Sequence, residues 1–300
     1  MSYEEEQEGG ADRRMSRDEY LLLNELIGGR FGISFPPHKR RALASRLEPR
    51  LQSLRLTSFL EYSRLLRGGP AGEWDRLAEL VTNNETFFFR ETQQFVALFD
   101  EALDGLRPAA APSGALRLLC AGCSSGEEAY TLSIFAAQSF VRLAGLPVGI
   151  DAFDLDSSRV EMARRAEYGR GALRTASPEQ VERYFQPLPA TFPGPGGETE
   201  RWVLRPSFRT GVRFHLANIL DLRTFRAPHL YDAVFCRNVL IYFSPAAIRR
   251  AVEHFAAVLR PGGLLFLGAS ESIIGLSECF ETVRFAGTLG YRRILGGIER

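Results

Sequence analysis

Tyr231-Asp-Ala-Val-Phe-Cys-Arg-Asn-Val-Leu-Ile-Tyr-Phe243 is the stretch whose reading decides the fold. It opens as a short apolar run of the kind found in buried parallel strands. It then breaks into Arg237 and Asn238, and Tyr242 follows four residues later. Open α/β sheets bind ligands at the carboxyl ends of their strands. A polar pair there, with an aromatic hydroxyl close behind, marks a working rim, and two segments far away in sequence show the same kind of pattern.

Strands and helices alternate on either side of this stretch. Residues 116–121, 148–154, 212–216 and 232–236 read as strands, and residues 127–143 and 158–168 read as helices. Ser244 caps a helix over 245–259 with Pro245 in its first turn. Pro261-Gly262-Gly263 stops it, a strand follows at 264–267, and 280–285 with 288–294 close as a hairpin over Gly287. This order predicts an α/β fold with a doubly wound, Rossmann-like sheet over residues 115–300. One insertion interrupts it at about 186–211. A Pro- and Gly-rich stretch there is followed by Arg201-Trp-Val-Leu-Arg-Pro206, read as a strand facing 208–214 in a small antiparallel β-subdomain. Upstream, residues 17–103 read as helices with no strand signal, including Leu43, Leu47, Leu51 and Leu54 at three- and four-residue steps. They form a small all-helical domain. Residues 104–114 read as a linker and 1–16 as a disordered tail.

Composition narrows the function. The formal net charge is +1, so no global field favours DNA or an anionic membrane. No apolar run is long enough to span a bilayer, and the acidic start lacks the features of a signal peptide. A cytoplasmic protein is expected. The basic residues are arginine except Lys39, a bias that carries no functional weight. Of the four cysteines, three lie in or beside strand-like runs, and no structural disulfide is expected.

Three segments carry candidate chemistry. The turn Gly122-Cys-Ser-Ser-Gly-Glu-Glu128 follows a strand and opens a helix, so ligands can approach its backbone. It has too few glycines for a phosphate loop, and Glu127 and Glu128 would repel a pyrophosphate but tolerate a cation. They also suit a plain helix start. Asp154 ends a strand in Phe153-Asp-Leu-Asp156, where an acidic residue takes ribose hydroxyls. Asp156 or Ser157 is the better helix cap. Together these features suit a nucleoside cofactor with a positive centre and no phosphates. S-adenosylmethionine fits, a dinucleotide less well, and no metal is called for. In the third segment, Thr82-Asn-Asn-Glu-Thr-Phe-Phe-Phe-Arg-Glu91, the phenylalanines suit an interdomain plug. Alternatively, Asn84, Thr86 and Arg90 point at the cofactor while the rings pack around it. The residues alone leave both readings open.

With these motifs in hand, the chain resembles the CheR family, the S-adenosylmethionine-dependent protein-glutamate O-methyltransferases of bacterial chemotaxis. Five motifs carry the resemblance in order: 82–90, 123–130, 153–156, 236–243 and Pro261-Gly-Gly-Leu-Leu-Phe-Leu-Gly-Ala-Ser-Glu271. The resemblance implies a methyltransferase acting on chemoreceptor glutamates. It places Asn84, Thr86 and Arg90 along the cofactor, Glu127 at its methionine amino group and Asp154 at its ribose. Asn218 and Ile219 would flank its adenine, and Arg237 and Asn238 would close the site. Arg90 and Tyr242 would stand nearest the transferred methyl. A basic stripe of Lys39, Arg40, Arg41, Arg46 and Arg50 would dock the acidic helices of the receptor, and the β-subdomain could take a receptor tail peptide. Tyrosine and arginine suffice for this chemistry, because a glutamate carboxylate of pKa about 4.3 is already a nucleophile at neutral pH. His38, His215, His229 and His254 offer no triad. The pair Cys120 and Cys123 has redox spacing but no second pair. A non-catalytic interaction module of the same fold, or a methyltransferase with another substrate, remains as an alternative.

Overall fold

The computed structural model describes residues 14–110, 114–189, 200–221 and 230–294. The tail 1–13, most of the Pro/Gly-rich insertion, residues 111–113 of the expected linker and His229 lie outside the described residues. The chain divides into two compact units between Val81 and Thr82.

The first unit is helical: α1 (Arg17–Phe31), α2 (Arg40–Ser53), α3 (Phe59–Gly68) and α4 (Gly72–Val81). Ser16 and Glu19 form a reciprocal capping box at the start of α1. Gly32, at φ 79°, ends α1 in the left-handed conformation that glycine adopts without steric cost. Leu43, Leu47 and Leu51 of α2 are fully buried. Glu73, in the first turn of α4, is also buried. It accepts from Arg50 Nε at 2.9 Å and Nη2 at 2.5 Å, and from the Tyr62 hydroxyl at 2.9 Å. Arg46 donates to the Val81 carbonyl at 3.0 Å and lies 5.9 Å from the Phe35 ring. Two members of the basic stripe, Arg46 and Arg50, are therefore built into this unit, while Lys39, Arg40 and Arg41 are exposed.

The second unit begins earlier than the composition implies. Its helical entry is α5 (Gln93–Val96), a π-helical turn (Ala97–Ala102) and α6 (Leu103–Ala110). Phe95, Leu98, Phe99, Leu103 and Leu106 pack into the core of the sheet. The helical domain therefore stops at Val81 rather than at 103, and the expected linker is helix through Ala110. Apolar burial outweighs the linker-like composition there.

The strands are β1 (Leu116–Ala121), β2 (Val148–Asp154), β3 (Glu167–Gly169), β4 (Phe185–Pro187), β5 (Arg201–Leu204), β6 (Val212–Leu216), β7 (Tyr231–Cys236), β8 (Leu259–Leu267), β9 (Phe280–Phe285) and β10 (Thr288–Arg293). The helices among them are α7 (Glu127–Gln138), α8 (Phe140–Leu143), α9 (Ser157–Arg165), α10 (Pro178–Tyr184) and α11 (Pro245–Val258). Seven strands form one sheet in the order β6-β2-β1-β7-β8-β10-β9. The first five are mutually parallel, and β10 and β9 close the edge as an antiparallel hairpin. Alternate residues face opposite sides, and both sides are buried. Leu118, Cys120, Ala233, Phe235 and Phe266 pack with α7 and the 95–106 helices, while Leu119, Ala121, Val234, Cys236 and Leu265 pack with α11. That is why these strands read as continuous apolar runs.

The chain builds outward from β1 through β2 to β6 on one side and from β7 to β8 on the other. The switch point, where ligands bind in such sheets, lies between β1 and β7. The β-subdomain is present, but its pairing differs from expectation. Strand β5 pairs with β3 and β4. The segment expected opposite it contributes β6, which joins the main sheet beside β2.

Candidate active site

The turn after β1 is folded tightly against its neighbours. Gly122 (φ 79°) and Gly126 (φ 92°) are both left-handed. A Cβ on Gly122 would meet Val239 Cγ2 at 2.6 Å, and one on Gly126 would meet Ala163 Cβ at 2.9 Å. The N–H groups of Gly122 and Cys123 bond to the Phe153 carbonyl, and that of Ser124 donates to Asp154 Oδ2 at 2.7 Å. Asp154 Oδ1 accepts from Asp156 N at 2.9 Å. Asp154 is thus held by backbone amides with no ion pair among the described residues, and burial pushes its carboxyl up. Asp156 is the cap of α9, accepting from Arg159 N, and it also accepts from Asn84 Nδ2 at 2.7 Å. Asn84 is tied back through its carbonyl to Ser124 Oγ.

Two glutamates open α7 and have opposite environments. Glu128 pairs with Arg237 Nη1 at 3.1 Å and accepts from Cys120 Sγ at 3.0 Å. Glu127 is 3% exposed, and its carboxylate accepts from the Ser125 hydroxyl at 2.9 and 3.0 Å, with Arg159 and Arg174 acting on it without an ion pair among the described residues. Burial pushes its pKa up to about 7. Glu127 lines a cavity of ≈ 370 Å³ together with Asn84, Thr86, Ser125, Tyr168 and Arg174.

Phe88 and Phe89 combine both readings of the aromatic motif. Phe88 is fully buried, 4.8 Å from the rings of both Tyr168 and Phe185 in the β-subdomain. Its N–H bonds to the Ala172 carbonyl. The plug thus lies within the second unit, and it sets Asn84 and Thr86 on the cavity wall. Phe89 and Glu91 are left-handed (φ 59° and 50°), so Arg90 sits in a tight turn. Its guanidinium donates to the Glu85 carbonyl at 3.2 Å and lies 5.4 Å from the Phe87 ring.

The loop after β7 faces that turn. Arg237 was expected to close over the cofactor, but its guanidinium is directed at protein groups. Nη2 donates to the Arg90 carbonyl at 2.7 Å and lies 3.2 Å from Glu91, while Nη1 meets Glu128. Asn238 is left-handed (φ 59°). The Tyr242 hydroxyl accepts from Asn83 Nδ2, which joins this loop to the 82–90 motif. Asn218 and Ile219 follow β6 at the same sheet edge. Ala217 N bonds to the Asp154 carbonyl at 2.9 Å, and Asn218 Oδ1 accepts from Leu220 N. Ile219 is buried in the core beside α11, and its carbonyl is 2.7 Å from His254 Nδ1.

The structure therefore brings Asn84, Thr86 and Glu127 onto one cavity, while Asp154 is bonded to the same turn through Ser124 and does not line it. Arg90 and Arg237 meet, and Tyr242 meets Asn83. Asn83, Ser125 and Glu271 also shape the site but have no assigned part in the sequence reading, and Glu128 and Asp156 figure there only as a cation-tolerant helix start and a helix cap. All lie inside or beside the quoted motifs, and their partners are too distant in sequence to be read locally.

Residues 18–82 match the CheR methyltransferase all-alpha domain, and residues 84–287 match the CheR methyltransferase SAM binding domain. The chain belongs to the CheR methyltransferase family. It is 35% identical to chemotaxis protein methyltransferase 1 of Pseudomonas aeruginosa, covering 91% of this chain and 97% of that one. It is 33% identical to the chemotaxis protein methyltransferase of Escherichia coli, covering 89% and 88%. The corresponding protein of Vibrio parahaemolyticus is 34% identical, covering 90% and 94%.

The CheR site suits S-adenosylmethionine on its own chemistry. Among the described residues Glu127 is a buried carboxylate that forms no ion pair, although Arg159 and Arg174 line the same cavity, and an ammonium group would supply a direct partner. Among the described residues no cluster could hold a metal ion, and no helix is long and apolar enough to cross a membrane. All four cysteines are free thiols. Burial pushes Cys120, Cys123 and Cys236 up, which leaves them poor nucleophiles.

Proposed function

We propose that this protein transfers a methyl group from S-adenosylmethionine to glutamate side chains of chemoreceptors in the cytoplasm. The observation that carries this reading is Glu127, buried with no ion pair among the described residues, on a cavity shared with Asn84 and Thr86 beside the turn after β1. In the proposal Glu127 holds the cofactor's ammonium group. Asn84 and Thr86 line its methionine half, Asp154 accepts from its ribose, and Asn218 and Ile219 border its adenine. When bound, the cofactor supplies a sulfonium methyl as electrophile. Arg90 orients the incoming glutamate carboxylate through charge-assisted hydrogen bonds, and Tyr242, fixed by Asn83, borders the path of the methyl. The O–C bond forms as the C–S bond breaks, so no general base is required and the residues act by orientation and exclusion of water. Arg237 contributes by holding the backbone of Arg90, and Asn238 closes the loop beside it.

Lys39, Arg40 and Arg41 are the members of the stripe available to an acidic receptor helix. Calorimetry with S-adenosylmethionine, followed by transfer of labelled methyl to receptor, tests the assignment. Micromolar-range binding that is lost in Asp154→Ala, with label appearing on receptor glutamates, is the expected result. Binding without transfer would favour an interaction module, and no binding by folded protein would remove the cofactor assignment.

A further inference from the structure

Glu271 has no assigned role in the chemistry above, yet it makes two bonds to the loop after β7 and a third to the end of β8. Its Oε2 accepts from Gly268 N at 2.7 Å and from Asn238 N at 2.8 Å, and its Oε1 accepts from Ile241 N at 3.2 Å. Two of these amides, Asn238 and Ile241, lie between Arg237 and Tyr242. Asn238 is left-handed, a conformation that asparagine adopts more readily than other non-glycine residues, and its N–H is held by Glu271. Gly268, at the end of β8, shows how closely the pieces fit. A Cβ there would lie 2.7 Å from Asn238 Nδ2, 2.8 Å from Asn238 N and 2.9 Å from Glu271 Oε2. A carboxylate can accept at both oxygens, whereas an amide side chain offers one acceptor oxygen and two donors.

We propose that Glu271 is a positioning residue for methyl transfer, whose carboxylate fixes the 237–242 loop so that Tyr242 and Asn238 stand where the chemistry needs them. This rests on the proposed function. Arg237 ties one end of the loop to Arg90, Asn83 holds Tyr242 at the other, and Glu271 pins the backbone between them.

The test compares Glu271→Ala, Glu271→Gln and Gly268→Ala with the wild type in receptor methylation, cofactor calorimetry and hydrogen exchange. Misplacement of a reacting group by about 1 Å can cost roughly 100-fold, so kcat should fall about that much in Glu271→Ala. Glu271→Gln keeps the Gly268 and Asn238 bonds but presents a donor to Ile241, and should lose about 10-fold, the worth of one such bond. KM for receptor should change less than about threefold if orientation rather than docking is lost. Amides of Asn238 and Ile241 should exchange faster in the variants. Gly268→Ala, which keeps the carboxylate but displaces Asn238, should follow the kcat loss. A folded Glu271→Ala with kcat within about twofold of wild type overturns the proposal, as does a loss confined to KM. Should Glu271→Ala fail to fold, Glu271→Gln decides by the same criteria. A wild type that binds cofactor but methylates no receptor defeats the functional reading. In that case unchanged amide exchange in Glu271→Gln would overturn the clamp independently.

Discussion

Glu73 and Glu127 occupy equivalent local positions in the two units, each in the first turn of a helix and each nearly out of contact with solvent, at 5% and 3% exposure. Their surroundings are opposite. Burial alone would raise the Glu73 pKa, but two bonds from Arg50 and one from Tyr62 bring it below the ordinary carboxylate range. Glu127 has a serine hydroxyl and no cation in contact, and burial carries its pKa up to about 7. The first arrangement stabilises a fold, because the charge arrives with its partner. The second costs stability, because an unpaired charge is held out of water. In the proposed function a cationic ligand completes the pair. Asp151, in the middle of β2, follows the first pattern: burial is outweighed by Arg213, Tyr231 and His215, and its pKa is lowered. Asp154, at the rim of the same strand, follows the second.

The strongest way to break this contrast is to remove the paired glutamate. Glu73→Ala leaves Arg50 and the Tyr62 hydroxyl without their partner, and should cost the helical unit about 3 kcal/mol, the lower end for a broken buried pair. Urea unfolding followed by Trp74 fluorescence measures it, and a loss below about 1 kcal/mol would mean that the pair is not structural. Glu127→Gln should act in the reverse direction. Removing the unpaired charge should raise the melting midpoint of the ligand-free protein by a few degrees. It should also weaken S-adenosylmethionine by roughly 30- to 100-fold, the worth of a charged hydrogen bond in a buried site. A variant that loses both stability and affinity would place Glu127 in the structural class with Glu73.

The pH dependence should separate the two units. Glu127 is raised from 4.5 to about 7 on folding, so the native state binds more protons in that interval. Its contribution therefore falls as pH rises from about 4.5 to about 7. Glu73 is lowered, so its contribution is complete above its unfolded value and is lost as pH falls through its folded value. Trp74 and Trp202, one tryptophan in each unit, allow this to be read separately by fluorescence. Slopes of the same sign from Glu73→Gln and Glu127→Gln difference measurements would contradict the assignment. The smallest effect is expected at the surface. Arg40→Glu with Arg41→Glu should raise the receptor KM several-fold, in line with about 1 kcal/mol for exposed charges, and leave the melting midpoint unchanged. Arg50→Glu should unfold the helical unit instead, because it sets a carboxylate against Glu73.

Much of this was legible before the structure. Parallel strands buried on both faces show as apolar runs, and the turns that follow them, where such sheets bind ligands, could be located from the sequence. The partner of β5 was not legible, because β3 is three residues long and carries no periodicity of its own. The extent of α6 was hidden by a proline- and alanine-rich composition that only the burial of Leu103 and Leu106 overrides. Arg237 and Glu271 were visible as residues but not as clamps. Their partners lie up to 147 positions away, and side-chain direction at a strand end is a property of the packed sheet.

In the proposed function Glu127, which forms no ion pair among the described residues, pairs with the ammonium group of S-adenosylmethionine. Calorimetric titration between about pH 5.5 and 8.5, in two buffers of different ionisation enthalpy, tests it directly. The affinity of the wild type should rise as pH passes through about 7, with proton release on binding at the acid end. It should fall again only as the cofactor's own amino group, with a reference pKa of about 7.7–8.0, loses its charge. Glu127→Gln should bind weakly and lose the acid limb. An affinity independent of pH below 7, unchanged in Glu127→Gln, would contradict the account.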